Sequence, residues 1–134
     1  MAATFRLQVA TPERPVFAGR ARSLIAPGAE GYLGVLANHA AMVALLSIGD
    51  LTVWAEDGTE THVAVNGGVL EVSGNTATVL ADTAELASEI DEERAQRALE
   101  RARNRLEEQS REIDRARARA ALARALNRLR VKHR

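Results

Sequence analysis

The chain contains no cysteine, which excludes disulfide bonds, thiolate nucleophiles and cysteine-based metal sites. Its three histidines, His39, His62 and His133, lack the spacing of zinc ligands, so we predict no metal site. The sequence also has no Gly-x-Ser-x-Gly nucleophile elbow and no phosphate loop ending in Gly-Lys-Ser/Thr. We therefore expect a protein that is not itself an enzyme.

Long apolar runs are also missing. The longest candidate, residues 40–48, is half of the roughly 18 residues that a membrane-spanning helix needs. The first residues lack the basic start and the apolar stretch of a signal peptide. The expectation is a chain that stays in the cytosol and does not insert directly into a membrane.

Glycine and proline are absent from residue 75 to the end, and this absence divides the chain. Before it, short apolar runs are separated by turn signals at Asp57-Gly58, at residues 66–68 and at Gly74-Asn75. The period of two over residues 5–10 is typical of a strand. Further candidate strands are residues 23–26, 32–36, 51–55, 62–65, 69–72 and 76–80. This pattern predicts a β-sandwich or flattened barrel over residues 1–87.

Residues 88–134 are rich in alanine, arginine, glutamate and leucine, which are strong helix formers. Apolar residues recur at steps of three and four, and the polar segment 107–112 interrupts them, so we predict two antiparallel helices joined there. In the second helix the predicted buried stripe includes Ala125, Leu126 and Leu129. Because the stripe is mostly alanine, its burial holds the helices weakly. A mobile arm and a permanently packed helical cap both fit this composition.

The net charge of zero conceals an asymmetry between the two halves. Residues 1–89 sum to −6 and residues 90–134 to +6, and residues 115–134 hold eight basic side chains and no acidic one. Such segregation suggests different partners for the two halves. No aromatic residue is interleaved with the arginines, so an acidic protein surface is favoured over nucleic acid. A nucleic-acid-binding module using the arginine-rich helix is the alternative.

Four charged residues are predicted to meet at the open end of the hairpin. Folding the two helices antiparallel about residue 109 brings Asp91 close to Arg128 and Arg94 close to Arg124. Three guanidinium groups beside a helix N-terminus could bind phosphate. Ion pairs within the hairpin, such as Asp91 with Arg128, explain the same pattern, and the residues alone favour this structural explanation.

Five segments in collinear order carry a resemblance to a known family. They are residues 30–39, 65–72, 79–85, 90–95 and 127–131. In this succession the chain resembles, nearly end to end, the epsilon subunit of bacterial F-type ATP synthase. The resemblance implies a β-sandwich of about ten strands followed by a two-helix hairpin. It also implies a non-catalytic central-stalk subunit, peripheral on the cytoplasmic face of the bacterial plasma membrane.

The resemblance further implies partners for each half. The β domain would bind the gamma subunit and the c-ring, coupling their rotation, and by position the c-ring contacts would be Glu30, Gly31, Tyr32 and Leu33. The helices would inhibit ATP hydrolysis when extended into the catalytic head of alpha and beta subunits. The arginines expected to contact the beta subunit are Arg115, Arg117, Arg119, Arg124, Arg128 and Arg130.

Some members of this family bind ATP on the folded hairpin through an Ile/Leu-Asp-x-x-Arg-Ala motif, which residues 90–95 match. The resemblance thus implies ATP as a regulatory ligand, with no required cofactor. The implied ATP-binding residues are Glu85, Ile90, Asp91, Arg94, Ala95, Arg124 and Arg128. One departure is residues 37–41, where Ala37, Asn38 and Ala41 replace the usual Pro, Gly and Pro, so the backbone near His39 is expected to differ.

Overall fold

The computed structural model of the chain describes residues 3–108 and 114–134. Seven strands come first, and a short 3-10 helix at Ala87–Glu89 connects them to two α-helices. The elements are β1 (Phe5–Ala10), β2 (Pro15–Gly28), β3 (Gly31–Leu36), β4 (Met42–Ala55), β5 (Glu60–Ser73), β6 (Thr76–Ala81), β7 (Ala84–Leu86), α1 (Glu92–Glu107) and α2 (Arg115–Lys132).

The strands close into a flattened barrel. Going round the sheet, the order is β1-β6-β5-β4-β2, and β1 then pairs with β2 to complete the ring. All of these pairs are antiparallel except β1 with β6. β3 extends the sheet beside β2, and β7 pairs with β5. The predicted class, a β-sandwich or barrel followed by a two-helix hairpin, is confirmed.

The expected count of about ten strands is wrong, because the described residues form seven and three of these are 14 residues long. β5 shows the reason. It runs through residues 66–68, where the sequence predicts a turn, and the left-handed Gly67 and Gly68 kink the strand instead of ending it. β5 pairs with β7 before this kink and with β6 from Gly68 onward. One bent strand thus takes the place of two short ones.

The other two predicted turns are present. Gly74 and Asn75 connect β5 to β6 with φ values of 57° and 56°, the left-handed conformation that a two-residue hairpin requires. Asp57 and Gly58 lie in the turn between β4 and β5, where the carboxylate of Asp57 accepts a hydrogen bond from the backbone N–H of Thr59.

Both helices begin at an aspartate, because a carboxylate can accept one of the unpaired N–H groups of the first turn. Asp91 accepts from the N–H of Arg94, and Asp114 accepts from that of Arg117. α1 ends at Glu107, where the predicted turn 107–112 begins, but residues 109–112 of that turn lie outside the described residues. None of the helices in the described part is long and apolar enough to cross a bilayer.

The hairpin lies on the barrel through α2, which contacts β4, β5 and the 3-10 helix, and α1 packs on α2. Val131 packs with Ala64 and Ile90 at this interface, apart from the main core inside the barrel. The predicted stripe on α2 is partly wrong: Leu126 is 40% exposed, whereas the neighbouring Asn127 is 2% exposed. Asn127 is buried because its amide donates to a barrel carbonyl.

Candidate functional site

A cleft of about 480 Å³ opens where the hairpin meets the barrel. Its walls come from the β1–β2 turn, from the segment around β7 and from both helices. Charged side chains dominate it, with four arginines and five acids. The charged lining residues are Glu13, Arg14, Asp82, Glu85, Glu89, Asp91, Arg94, Arg101 and Arg128. Three of the four residues that the hairpin geometry predicts to converge, Asp91, Arg94 and Arg128, share this cleft.

One ion pair crosses the cleft from the hairpin to the barrel. Nε of Arg128 on α2 lies 2.5 Å from Oε1 of Glu85 on β7, and both side chains are about one-third exposed. The alternative pairing of Arg128 with Asp91 is wrong, since the ion pair of Arg128 is with Glu85 and Asp91 accepts the N–H of Arg94. Arg128 therefore ties the hairpin to the barrel and does not tie the two helices to each other.

A second groove of about 540 Å³ runs between the two helices. Five arginines and one aspartate line it, so it is strongly cationic. The charged lining residues are Arg101, Arg105, Asp114, Arg117, Arg124 and Arg128. Arg124, the fourth residue predicted to converge, lies here and does not line the first cleft. The groove adjoins the first cleft, because Ala98, Arg101 and Arg128 line both.

Two of the residues that resemblance assigns to ATP are apolar and differ in position. Ala95 is buried and lines the first cleft, so it can only offer surface at close range. Ile90 is 3% exposed and packs with Ala64 and Val131 behind the cleft, where it supports the start of α1. Arg101 is a site residue that sequence reasoning missed. Its signal is its spacing, since it follows Arg94 by seven residues and so recurs on the same face of α1.

A second ion pair fixes the connection between the two halves. Nη1 and Nη2 of Arg14 in the β1–β2 turn donate to the carboxylate of Glu89, at 3.0 and 2.7 Å. Glu89 also accepts the N–H of Leu86. The hydrogen bond from Arg14 lowers the pKa of Glu89, and the same bond raises the pKa of Arg14. The 3-10 helix before α1 is thus tied to the barrel.

The residues assigned to the c-ring form the turn between β2 and β3 and the start of β3. Glu30 and Gly31 are exposed, Leu33 is half-buried, and Tyr32 is 58% exposed. The Tyr32 hydroxyl oxygen nevertheless accepts a hydrogen bond of 3.1 Å from the N–H of Asp50 in β4. The segment therefore has both an exposed side and a contact into the barrel.

The arginines assigned to the beta subunit occupy several positions along α2. Arg115 closes the hairpin, because its guanidinium donates to the carbonyls of Leu106 and Glu108. Arg117 and Arg119 are exposed, Arg124 and Arg128 are half-buried, and the exposed Arg130 donates to the side-chain oxygen of Asn127. In this docked arrangement α2 does not present all six to one surface.

Residues 37–41 form a turn between β3 and β4. Asn38 adopts a left-handed φ of 63°, and its N–H donates to the side-chain oxygen of Asn75. Nδ1 of His39 lies 2.7 Å from the carbonyl of Ala40, a local contact to the backbone. His39 therefore has a structural role in this turn.

Two family models match successive parts of the chain. The model of the beta-sandwich domain of the ATP synthase delta/epsilon chain matches residues 4–87, and that of its long alpha-helix domain matches residues 88–132. The ATP synthase epsilon chain of Syntrophomonas wolfei is 48% identical over 80% of this chain and 78% of its own length. That of Carboxydothermus hydrogenoformans is 51% identical over 79% and 78%. The chain belongs to the epsilon subunits of bacterial F-type ATP synthase.

Solved structures agree with this assignment. A chain in the mitochondrial ATP synthase of Euglena gracilis, determined with OSCP, F1 and the c-ring, superposes with a TM-score of 0.80 at 26% identity, covering 90% of this chain and 76% of that one. A chain in the central stalk and c-ring structure of Tetrahymena thermophila ATP synthase has the same fold, with a TM-score of 0.61 at 15% identity over 95% of both chains. As an epsilon subunit, the chain is a non-catalytic component of ATP synthase, and the nucleic-acid alternative is not supported.

Proposed function

We propose that the barrel of this epsilon subunit links the gamma subunit to the c-ring, and that its hairpin inhibits ATP hydrolysis unless ATP holds it docked. The subunit would act on the cytoplasmic face of the bacterial plasma membrane. The observation that carries the proposal is the Arg128–Glu85 pair, which joins hairpin to barrel inside a cleft continuous with a cationic groove.

The distribution of charge supports a nucleotide lying across both spaces. A triphosphate is strongly anionic, and the interhelical groove offers five arginines against one acid. The neighbouring cleft contains Glu85 and Asp91, whose carboxylates can accept hydrogen bonds from ribose hydroxyls or an adenine amino group. Arg101 and Arg128 line both spaces and would hold the junction.

Such a ligand would favour the docked state for a simple reason. Its contacts would come from α1, α2 and β7, and these three elements adjoin only while the hairpin is folded on the barrel. A ligand shifts a conformational equilibrium only by the difference between its affinities for the two states. ATP bound here would lose its Glu85 contact on undocking, so it would stabilise the docked hairpin.

Undocking would expose the other property of α2. The helix carries seven basic residues and no acid, and Arg134 beyond its end adds an eighth positive charge. In the docked state Arg128 is paired with Glu85, and Arg115 holds the end of α1. Released from these contacts, α2 would present a cationic face to an acidic surface of the alpha and beta subunits. This supports an inhibitory role that the hairpin can perform only when it is undocked.

Isothermal calorimetry of the purified chain with ATP tests the nucleotide site, with and without magnesium. Arg128→Ala and Arg124→Ala should each weaken binding by about tenfold or more, because each removes a charge-assisted hydrogen bond. Arg119→Ala is the matched control, since it removes the same charge from an exposed position on α2. Equal affinity in all variants would reject the site.

The inhibitory role needs the assembled enzyme. Removing residues 90–134 from the subunit should leave coupled ATP synthesis intact and raise ATP hydrolysis. An unchanged rate of hydrolysis would reject inhibition by the hairpin without affecting the nucleotide site.

A further inference from the structure

Two distant parts of the molecule contact one peptide group. The peptide between Gly49 and Asp50 in β4 carries the Gly49 carbonyl and the Asp50 N–H. The side-chain amide of Asn127 on α2 donates to that carbonyl at 2.8 Å, and the N–H donates to the hydroxyl of Tyr32 on β3 at 3.1 Å. A docked helix and the exposed segment 30–33 thus meet on opposite ends of a single amide.

The local structure of the barrel explains why this amide is available. The register of β2 on β4 is irregular between Ile25 and Gly28, so β2 has no registered partner opposite Gly49 and Asp50. The Tyr32 hydroxyl takes the place of a ladder partner for Asp50. Gly49 permits this approach, since a Cβ there would lie 2.4 Å from Cβ of Pro27 and 2.9 Å from the Tyr32 hydroxyl oxygen.

The side chain of Asp50 adds a second contact from the end of α2. Its carboxylate is 2% exposed, and Oδ2 lies 2.8 Å from Nε of Arg134. Oδ1 lies 3.4 Å from Nδ1 of His62, whose other ring nitrogen lies 3.2 Å from Glu60. A buried carboxylate is stable only while such partners are in place. The position of Asp50 therefore depends on whether α2 is docked.

We propose that the Gly49–Asp50 peptide group couples the conformation of segment 30–33 to the docking of α2 on the barrel. Two hydrogen bonds through one amide polarise each other, so the loss of either weakens the other. Any partner that moves Tyr32 away from β4 therefore weakens the hydrogen bond between Asn127 and the barrel. By reciprocity, undocking of α2 releases Tyr32. This coupling rests on the proposed function only in requiring that the hairpin can undock.

A chain without native cysteine allows a direct test. Val131 is fully buried against Ala64 and Ile90, so in Val131→Cys a thiol reagent reacts only when α2 leaves the barrel. Cysteine fills most of the space of valine, so the substitution should lower the stability of the protein only a little. The labelling rate then reports the undocked population, even when that population is small.

In this background, Tyr32→Phe removes only the hydroxyl and should raise the labelling rate by up to about fivefold, since the full value of one hydrogen bond is the upper bound on the coupling. In the presence of Asn127→Ala the same substitution should leave the rate unchanged, because the coupled bond is already missing. Leu36→Ala, on the same strand and 64% exposed, is the control and should have no effect in either background. An equal rise in both backgrounds, or no rise in either, overturns the coupling.

Asn127→Ala could by itself undock the hairpin completely. The cycle is then repeated with Arg134→Gln, which removes the ion pair to Asp50 from an exposed side chain and should make the effect of Tyr32→Phe smaller. Equal effects of Tyr32→Phe with and without Arg134→Gln again overturn the coupling. If labelling of Val131→Cys occurs only with global unfolding, the hairpin does not undock by itself, and both the proposed inhibition and the coupling are rejected. If the hairpin undocks without global unfolding but the effects of the two substitutions add, only the coupling is rejected.

Discussion

The barrel and the hairpin are stabilised in different ways. One continuous cluster of large side chains fills the barrel, including the fully buried Phe5, Leu24, Leu51 and Leu70. In the hairpin, the buried residues of α1 are Ala95, Leu99 and Ala102, and those of α2 are Ala118, Ala125, Asn127 and Val131. Since the stabilisation from burial scales with apolar area, the barrel can be rigid while the hairpin is only marginally held.

The contacts between the two regions differ in kind from the contacts within the barrel. They include one small apolar cluster, a buried amide, and ion pairs of Arg128 and Arg134 with barrel carboxylates. Such contacts are individually worth little when they are partly exposed, and each has a substitute in water or in another protein. An interface built in this way suits an element that exchanges partners. The following predictions test this contrast, beginning with the largest expected effect.

Truncating one core leucine in each region should separate the two. Leu51→Ala in β4 should lower the free energy of unfolding of the barrel by about 4 kcal/mol, because it leaves a cavity in a closed core. Leu99→Ala in α1 should lower helix stability and leave the barrel nearly unchanged. Urea unfolding followed by Trp54 fluorescence, which reports on the barrel, and by helical circular dichroism measures both.

If the hairpin and the barrel are stabilised separately, the fluorescence and circular dichroism transitions of Leu99→Ala should occur at different urea concentrations. A single transition that shifts equally in the fluorescence and circular dichroism signals would show that the hairpin and the barrel unfold as one unit. The conservative Leu99→Met serves as the control, since it keeps most of the buried volume and should restore the helical signal.

Gly68 in β5 and Gly74 in the turn after it should respond differently to alanine. At Gly68 a Cβ would lie 2.2 Å from the carbonyl oxygen of Leu80, and φ is 129°, so Gly68→Ala should destabilise the barrel by about 3 kcal/mol. At Gly74 nothing lies within 4 Å of a Cβ, and only the left-handed φ of 57° is unfavourable. Gly74→Ala should cost about 1 kcal/mol. Equal thermal shifts in the two variants would mean that the kink at Gly68 relaxes freely.

Much of this architecture could be predicted from the sequence, because its signals are local. The loss of glycine and proline after residue 74, the alternation in residues 5–10 and the helical repeats identify both regions. The strand number could not be predicted in this way. Whether residues 66–68 end a strand or bend it depends on a change of partner from β7 to β6, which no local pattern records.

The site was predictable to a similar extent. Arg128 and Asp91 were brought to one cleft by helix geometry, whereas the partner of Arg128 is Glu85, which lies on a strand outside the hairpin. The burial of Asn127 in place of Leu126 has the same origin, since it depends on a carbonyl of β4 that is 78 residues distant in sequence. Contacts between the two regions are non-local, so periodicity within one region does not reveal them. The division at residues 87 and 88, and the roles of individual arginines in the assembled enzyme, stay predictions.

The smallest expected effect concerns the tie between Arg14 and Glu89 and its dependence on pH. Because the hydrogen bond from Arg14 lowers the pKa of Glu89 in the folded chain, the pair stabilises docking at neutral pH. That contribution is lost as the pH falls through the lowered pKa and Glu89 takes up a proton. The thiolate fraction falls in acid, so the labelling rate of Val131→Cys is divided by that of an unfolded cysteine peptide at the same pH. This ratio should rise slightly in acid, and Arg14→Gln should reduce the rise, because the pair is then absent at every pH. Arg20→Gln, whose partner Glu56 lies 3.8 Å away on the barrel, should retain the full acid response. If Arg14→Gln and Arg20→Gln respond alike, the tie does not contribute to holding the hairpin, and the marginal interface relies on α2 alone.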